Sequence, residues 1–294
     1  MSKKRTISAI AHAKLKLYLD ITGRRSDGYH ELETVMQSIS LGDLVTVDLS
    51  GGTGITISCD KPDIPADECN LAYKAAQLFL DETGERVKLH IDIKKRIPSG
   101  AGMGGGSADA AAVLAILDKA YPEKVSRERL FELATELGAD VPFCLAGGTK
   151  ICKGIGEKMS DTEPFSGYYL VIMPDFTCPT GEAYKRYDNS PIAPKGRLDG
   201  FISAAAKGEF YTELYNVFEV LYADERIEGI KARLLESGAK AAMMTGSGAA
   251  VFGVFENIQS AVNAAADFPT SFVGTFCTSD DGIEFRKEYR PNIH

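Results

Sequence analysis

The stretch P-S-G-A-G-M-G-G-G-S-A-D-A-A-A-V-L-A-I-L, residues 98–117, decides the fold class and the kind of ligand to expect. Five glycines lie between Gly100 and Gly106, and an alanine-rich run opening at Ser107 predicts a helix. The alternating V-K-L-H-I-D-I of residues 87–93 predicts a strand before them. Glycines between a strand and a helix start let backbone N–H groups converge on an anion, which the helix dipole also favours. The stretch therefore predicts a phosphate-binding loop.

Two common phosphate-binding motifs fit this loop poorly. Gly100, Gly102 and Gly105 match G-x-G-x-x-G, but the dinucleotide motif also needs an acidic residue ending the next strand. That acidic residue is expected about 20 positions beyond the glycines. Here residues 119–122 lie at that distance, and they are predicted to end a helix instead. The pattern G-x-x-x-x-G-K-[ST] is absent because no lysine follows the glycines. The residues alone favour anion binding, with a tight structural turn as the alternative.

A strand is predicted near the start of the chain. Residues 7–19, I-S-A-I-A-H-A-K-L-K-L-Y-L, alternate with period two, so that Lys14 and Lys16 lie on the face opposite Leu15 and Leu17. The sequence alone favours a solvated sheet face for the two lysines. The alternative is a cationic wall for a phosphorylated substrate.

Composition excludes several other classes of protein. The chain has 294 residues, a formal net charge of -8 and a pI near 5.2, which argue against nonspecific nucleic-acid binding. It has no apolar run of membrane-spanning length, and its start, M-S-K-K-R-T, lacks the apolar segment of a signal peptide. Six cysteines without C-x-x-C spacing and four dispersed histidines predict reduced thiols and no zinc site. We therefore expect a cytoplasmic protein with neither a nucleic-acid nor a membrane partner.

The glycine-rich stretch resembles the phosphate loop of the galactokinase, homoserine, mevalonate and phosphomevalonate kinase (GHMP) superfamily. Within it, the doubled glycine and the S-A-D-A-A tail resemble the 4-diphosphocytidyl-2-C-methyl-D-erythritol kinase family. The resemblance implies ATP and Mg²⁺ as cofactors, and the Ser107 hydroxyl is a candidate contact for the metal. It also implies an ATP-binding loop formed by Pro98, Ser99, Gly100, Ala101, Gly102, Met103, Gly104, Gly105, Gly106, Ser107 and Ala108.

A second segment carries the resemblance further. Residues 13–32 contain A-K-x-x-L-x-L-x-x-x-G-R-R-x-D-G-Y-H-E-L, which is similar to the N-terminal signature of the same family. It implies that Lys14 is catalytic and that Tyr29 and His30 bind cytidine, for which a ring face and a hydrogen-bonding edge are suited. Without it, a half-buried tyrosine beside a surface histidine is the simpler interpretation. Lys16 stands where the family usually has asparagine, and we assign it to substrate binding.

A third segment, G-A-D-V-P-F of residues 138–143, follows a predicted helix. Taken alone, Asp140 is expected to cap a short turn. The resemblance instead makes Asp140 the general base, kept ionised by Lys14. It also places Asn70, Leu71 and Lys95 near the nucleotide.

The segment T-G-E-A-Y of residues 180–184 resembles the family's substrate loop. The resemblance implies that Thr180 contacts the substrate and that Tyr184 sandwiches the cytosine ring against Tyr29. An ordinary amphipathic tyrosine is the alternative for Tyr184.

The resemblance implies the α+β, two-domain GHMP kinase fold. Residues 1–160 would form a nucleotide-binding domain similar to domain 2 of ribosomal protein S5, with its phosphate loop at residues 98–110. Residues 161–294 would form the substrate-binding domain, where the order strand-helix-strand-strand-helix-strand indicates a ferredoxin-like arrangement. Two of its helices are predicted over 201–221 and 226–237.

A final glycine motif, T-G-S-G-A at residues 245–249, fits a tight turn between two strands. The resemblance implies that this turn packs against the phosphate loop.

Together these features predict ATP-dependent phosphorylation of the 2-hydroxyl of 4-diphosphocytidyl-2-C-methyl-D-erythritol, in the non-mevalonate isoprenoid precursor pathway. The partners would be ATP and this cytidine-diphosphate-linked small molecule, bound by a monomer or homodimer. One alternative is another GHMP-type kinase acting on mevalonate or homoserine. A second is a catalytically silent nucleotide-binding module, which two departures keep open: Lys16, and Val217 where the family's N-D-F-E has aspartate.

Overall fold

The computed structural model describes residues 5–163, 165–269 and 272–286. Its strands form two sheets, one with eight strands and one with four. The strands are β1 (Arg5–Arg24), β2 (His30–Ser50), β3 (Gly54–Cys59), β4 (Lys88–Lys94), β5 (Thr149–Gly154), β6 (Lys158–Asp161), β7 (Tyr168–Met173), β8 (Tyr215–Asn216), β9 (Ala241–Met244), β10 (Val251–Phe255), β11 (Phe272–Cys277) and β12 (Ile283–Phe285).

The helices lie between these strands. They are α1 (Leu71–Thr83), α2 (Gly105–Ala120), α3 (Arg127–Leu137), α4 (Val141–Ala146), α5 (Thr180–Asn189), α6 (Leu198–Ala205), α7 (Val217–Tyr222), α8 (Glu225–Glu236) and α9 (Ile258–Ala265), with a 3-10 helix at Phe210–Glu213. Within the described ranges, no helix is long and apolar enough to cross a lipid bilayer.

The first sheet is built on the long antiparallel pair β1 and β2. Its strand order is β12-β1-β2-β4-β3, while β5 and β6 extend from another part of β2 and β8 pairs in parallel with β1. Strands β8 and β12 come from the second half of the chain, so that half also contributes to the first sheet. Residue 160 lies inside β6. The domain boundary at 160 and 161 stays a prediction.

Strand β1 is buried on both faces, so the expectation of a solvated face for its lysines was wrong. All residues from 11 to 20 are buried. Leu15 and Leu17 belong to the larger apolar core, whereas Leu19 and Ile21 belong to the smaller one. Helices α2, α4 and α7 pack against the strand, and this cover is a tertiary effect that the alternating pattern does not reveal.

The second sheet has the order β11-β7-β10-β9, with every pair antiparallel. Numbered along the chain, this order is 4-1-3-2, and helices α8 and α9 pack against the sheet. The ferredoxin-like arrangement predicted for this half is confirmed. The sequence predicts the last strand of this half over residues 271–277, and residue 271 lies outside the described residues.

The helix ends follow local capping signals. The Asn70 side chain accepts from the N–H of Ala72 at the start of α1, and Gly84 ends that helix in the left-handed conformation. Helix α2 begins at Gly105, two residues before the predicted start at Ser107. Its central turns are apolar all round, which explains why an alanine-rich sequence forms a helix buried in the core.

The single helix predicted over 201–221 is replaced by four short elements: α6, the 3-10 helix, β8 and α7. Gly208, with a φ of +75°, follows α6. Asn216 is extended, ends β8 and caps α7 by accepting from the N–H of Phe218. Continuous helical spacing of apolar residues concealed these breaks.

We expect Asn216→Ala to destabilise the fold by about 3 kcal/mol, because the buried Asn216 amide also donates to the carbonyls of Met244 (2.7 Å) and Gly246 (2.8 Å). The matched control Asn257→Ala removes only the exposed cap of α9 and should cost about 1 kcal/mol. Urea unfolding measures both changes. Equal losses in the two variants would contradict the bridging role of Asn216.

Candidate active site

Three charged side chains from two distant segments meet beside the start of α2. The Lys14 and Lys16 ammonium groups lie 3.3 Å from Oδ2 and 3.3 Å from Oδ1 of Asp140, respectively. Both lysines come from β1, whose pairing with β2 shifts register on either side of this segment. Asp140 precedes α4, but its side chain makes no capping hydrogen bond, so the turn-capping alternative is not observed. The carboxylate instead bridges two buried ammonium groups.

Burial and mutual charge set the protonation of this cluster. Burial, together with the neighbouring Lys16, lowers the pKa of Lys14 to about 8 against the pull of Asp140. Burial opposes ionisation of Asp140, but the two lysines outweigh it and hold the pKa of that carboxyl well below its usual range. Burial disfavours the charge of Lys16, but attraction and hydrogen bonding to Asp140, together with smaller contributions from other neighbours, raise its pKa. At neutral pH the cluster is one carboxylate between two ammonium groups.

The phosphate loop is fixed directly above Lys14. The Lys14 N–H donates to the carbonyl of Met103 (3.1 Å). Gly104 has a φ of +75°, and a Cβ at that position would lie 3.2 Å from Cε of Lys14. Glycine is therefore needed at position 104 for both its backbone conformation and the passage of the lysine side chain.

The glycine turn at residues 245–249 packs against the same loop, as expected from the resemblance. A Cβ on Gly102 would collide with the carbonyl oxygen of Thr245. The Thr245 hydroxyl accepts from the N–H of Lys16 (2.9 Å). The turn therefore holds the loop and β1 in a fixed relation.

One cavity, of about 280 Å³, is lined by the glycine loop. The predicted residues that line it are Asn70, Leu71, Lys95, Pro98, Ser99, Gly100, Ala101, Gly102, Met103, Gly104, Gly105 and Gly106. Ala108, in contrast, is fully buried, and its N–H donates to the Gly104 carbonyl (2.8 Å). The Ala108 amide is thus already used and is not available to a phosphate.

Lys95 lines this cavity, but its ammonium group is held by two buried carboxylates. It donates to Asp43 and to Oδ2 of Asp109, the latter at 2.7 Å. The other oxygen of Asp43 accepts from the N–H of Ile97 (2.9 Å), just before the glycines. Burial raises the pKa of Asp109 above its ordinary value, and the attraction of Lys95 opposes this shift. This cluster braces the base of the loop, and a contact between Lys95 and the nucleotide stays a prediction.

A second cavity, of about 490 Å³, has Asp140 in its wall. The predicted residues lining it are Lys16, Tyr29, His30, Ser107, Asp140, Thr180 and Tyr184. Lys16, Ser107 and Asp140 thus share the wall near α2, while the aromatic residues come from the β1–β2 connection and from α5.

The aromatic residues are arranged differently from the expected sandwich. The Tyr184 ring is stacked on His30, with centroids 4.9 Å apart and an interplanar angle of 23°. The Tyr29 side chain projects into solvent and is 60% exposed. The sandwich of cytosine between Tyr29 and Tyr184 therefore stays a prediction.

Sequence analysis missed three polar residues at this site. Lys185 and Asp188 line the second cavity, and the Ser247 hydroxyl lies 2.9 Å from that of Thr180. Thr180, Tyr184 and Asp188 are spaced four residues apart, so helical periodicity could have placed Asp188 on the same face of α5. Nothing local indicated Ser247, because its turn reaches α5 only through tertiary packing.

Comparison with known proteins agrees with this architecture. Residues 70–148 match the family described as GHMP kinases N terminal domain, and residues 201–274 match GHMP kinases C terminal. A 4-diphosphocytidyl-2-C-methyl-D-erythritol kinase of Clostridium botulinum is 40% identical over 274 residues, which cover 91% of this chain and 98% of that protein. The enzyme of the same name from Syntrophomonas wolfei is 38% identical, with 94% and 99% covered.

Solved structures give the same result. A crystal structure of 4-(cytidine 5'-diphospho)-2C-methyl-D-erythritol kinase has a TM-score of 0.79 and 34% identity, covering 93% of this chain and 99% of the other. A homoserine kinase from Cytophaga hutchinsonii has a TM-score of 0.77 at 19% identity, covering 97% and 99%, which is a likeness of fold alone.

The fold and the two matched domains define a GHMP-type small-molecule kinase, a class that uses ATP. The predicted α+β two-domain GHMP kinase fold is confirmed. Within that class, the chain belongs to the 4-diphosphocytidyl-2-C-methyl-D-erythritol kinase family.

Lysine side-chain NMR should detect one lysine that titrates near pH 8 and is lost in Lys14→Met. Replacing Lys16 with methionine removes a neighbouring like charge and should raise the pKa of Lys14. Because unfolded Lys14 keeps its proton up to its ordinary value of 10.5, Lys14 should add stability as pH rises from about 8 toward 10.5. The control is Lys153→Met, which removes an exposed ion pair with Glu33. It should change neither the pKa of Lys14 nor the pH dependence of stability. A Lys14 midpoint at its ordinary value would contradict this electrostatic account.

Proposed function

We propose that the chain transfers the γ-phosphoryl group of ATP to the 2-hydroxyl of 4-diphosphocytidyl-2-C-methyl-D-erythritol, in the non-mevalonate isoprenoid precursor pathway. The observation that carries the proposal is the Lys14–Asp140–Lys16 cluster. Lys16 and Asp140 line the aromatic-lined cavity, and the Lys14 side chain packs under Gly104 of the glycine-lined one. A donor in the first cavity and an acceptor in the second would meet at Asp140. The family of the chain supports the same donor and acceptor.

The triphosphate is proposed to lie across the glycine loop, with its terminal phosphate beside the start of α2. Phosphoryl transfer depends mainly on in-line placement and on neutralising charge at the transferred group. The helix dipole and free loop amides supply partial positive charge there. Lys14, held under Gly104, would add a full charge from the protein side.

Asp140 is proposed to accept the proton of the substrate hydroxyl. Two adjacent ammonium groups keep the carboxylate ionised but also make it a weak base. An alcohol becomes strongly acidic only once its oxygen bonds to phosphorus. Asp140 would therefore orient the hydroxyl first and take its proton late, after most of the bond to the leaving group has broken.

Mg²⁺ is proposed to travel with the triphosphate. No group of three or more His, Cys, Asp or Glu side chains in the described chain is arranged to hold a metal ion by itself. Mg²⁺ typically keeps waters and binds substrate phosphates with few protein ligands. The Ser107 hydroxyl is the proposed protein contact, and the ion would neutralise charge on the phosphates.

The cytidine end of the substrate is proposed to bind among Tyr29, His30 and Tyr184, with Thr180 and Lys16 nearer the diphosphate. An ammonium group at position 16 suits a phosphate better than the amide usual in the family. Lys185 lines the same cavity and adds a second positive charge near the proposed position of the diphosphate.

A cytoplasmic location and a monomeric or homodimeric state stay predictions.

One of the two departures from the family pattern, Val217, has a structural role that does not favour a catalytically silent module. Val217 is fully buried in the smaller core at the start of α7, so its side chain packs there. Only Lys16 keeps the catalytically silent module open as an alternative, and that module would bind ATP without transferring phosphate. A mevalonate- or homoserine-type kinase is supported only by similarity of fold, at 19% identity or less.

A steady-state assay with the cytidyl compound, mevalonate and homoserine as acceptors should show transfer only to the cytidyl compound. Asp140→Asn should lower kcat by about 10²- to 10⁴-fold, the usual contribution of a general base. The control Asp161→Asn changes an exposed carboxylate and should retain full rate. Full activity of Asp140→Asn would remove it from the base role, and transfer to another acceptor alone would overturn the substrate assignment.

The phosphate loop can be tested with two glycines of similar backbone conformation. Gly104→Ala and Gly84→Ala both place a methyl group at positive φ, +75° and +68°, and should each cost about 1 to 2 kcal/mol of stability. Only Gly104→Ala sets that methyl against the Lys14 side chain, since nothing lies within 4 Å at Gly84. We expect kcat/KM for ATP to fall more than tenfold in Gly104→Ala alone. A similar kcat/KM for ATP in the two variants would contradict the assignment of the glycine loop to ATP binding.

A further inference from the structure

The face of α5 that lines the second cavity carries an acidic residue with no role assigned so far. Thr180, Tyr184 and Asp188 follow one another at four-residue spacing and all line the cavity. Asp188 lies one turn beyond the tyrosine that stacks on His30. Its carboxylate Oδ1 is 2.8 Å from Nε2 of His30.

The His30 ring is held in one plane. It stacks on Tyr184 at 4.9 Å and meets Tyr187 edge-on at 5.6 Å, with an interplanar angle of 88°. The side chain is only 8% exposed. The ring therefore has little freedom to turn away from Asp188.

This contact decides which ring nitrogen carries the proton. An ionised carboxylate can only accept a hydrogen bond, so Nε2 of His30 must be the donor to Asp188. In the neutral ring, Nδ1 then has a free lone pair and is a hydrogen-bond acceptor. Among the described residues, no protein group is found hydrogen-bonded to Nδ1, although His30 lines the cavity.

We propose that Asp188 is a positioning residue: it fixes His30 as the Nε2–H tautomer, so that Nδ1 accepts a hydrogen bond from the exocyclic amino group of the substrate's pyrimidine. Cytosine presents an amino group at that position of the ring, whereas uracil presents a carbonyl. A carbonyl facing Nδ1 would set two acceptors against each other and leave both unpaired. The proposal rests on the proposed function, since it names the basis of pyrimidine selection at the same site.

A second charged group contacts Asp188 and must be separated from the effect on His30. Nη1 of Arg24 lies 3.7 Å from the same carboxylate oxygen, but its side chain is 62% exposed. A contact of that length between exposed groups contributes little. Arg24→Gln is therefore a matched control, which removes the second partner of Asp188 and leaves His30 and its stacking intact.

The kinetic test compares the cytidyl substrate with its uridyl analogue. In Asp188→Asn the side-chain amide can donate to Nε2, which permits the opposite tautomer with a proton on Nδ1. We expect the ratio of kcat/KM for cytidyl over uridyl substrate to fall about tenfold or more, through KM rather than kcat. Arg24→Gln should keep the wild-type ratio. An unchanged ratio in Asp188→Asn, or an equal fall in Arg24→Gln, would overturn the proposal.

The tautomer can be measured without the reaction. The chain has four histidines, so the imidazole ¹⁵N signals of His30 can be assigned by their loss in His30→Gln. The neutral ring should be protonated on Nε2 in the wild-type protein and become a mixture in Asp188→Asn. Protonation on Nδ1 in the wild type would overturn the proposal even if Asp188→Asn did not fold.

Binding of CMP and UMP to the wild-type protein separates this proposal from the proposed function. Preference for CMP with the Nε2–H tautomer, but without phosphate transfer, would support the role of Asp188 and reject the kinase activity. Normal transfer with equal binding of the two nucleotides would do the reverse.

Discussion

The ionised carboxylate of Asp140 between two buried ammonium groups is the interaction on which the site depends. Each lysine is almost fully removed from water, which would be very unfavourable without a counter-charge within reach. The carboxylate carries one negative charge against two positive ones, so the cluster keeps a net positive charge directed at an anionic ligand. The charges come from β1 and from the turn before α4, two segments that only the folded chain brings together.

The surroundings of this cluster explain why both halves of the chain are needed. Strand β1 enters both apolar cores, and its N–H at Lys16 is held by Thr245 from the second half. The same turn fits against Gly102, where only a glycine leaves room. A substitution that shifts this turn would therefore shift the phosphate loop relative to β1. This rigid junction suits a reaction in which placement, rather than covalent chemistry, lowers the barrier.

The two cavities divide recognition between backbone and side chains. The glycine loop offers amides and the end of a helix, which bind phosphate whatever base is attached. The second cavity offers aromatic rings, a histidine held by a carboxylate, and lysines, which can distinguish one pyrimidine from another. Lys16 links the charged cluster to the second cavity, because it pairs with Asp140 and also lines that cavity. Its charge is the main chemical difference from the usual family pattern.

The sequence by itself determined the local features. Glycines beside an alanine-rich run gave the loop, Asn70 and Gly84 set the ends of α1, and the element order of the second half gave its sheet. These signals are local because capping and backbone conformation involve neighbouring residues. Only the tertiary structure decided that β1 is buried on both faces, that residues 198–222 break into short elements, and that Asp188 reaches His30. Each of these depends on contacts between distant segments, and a one-dimensional pattern does not record which segments meet.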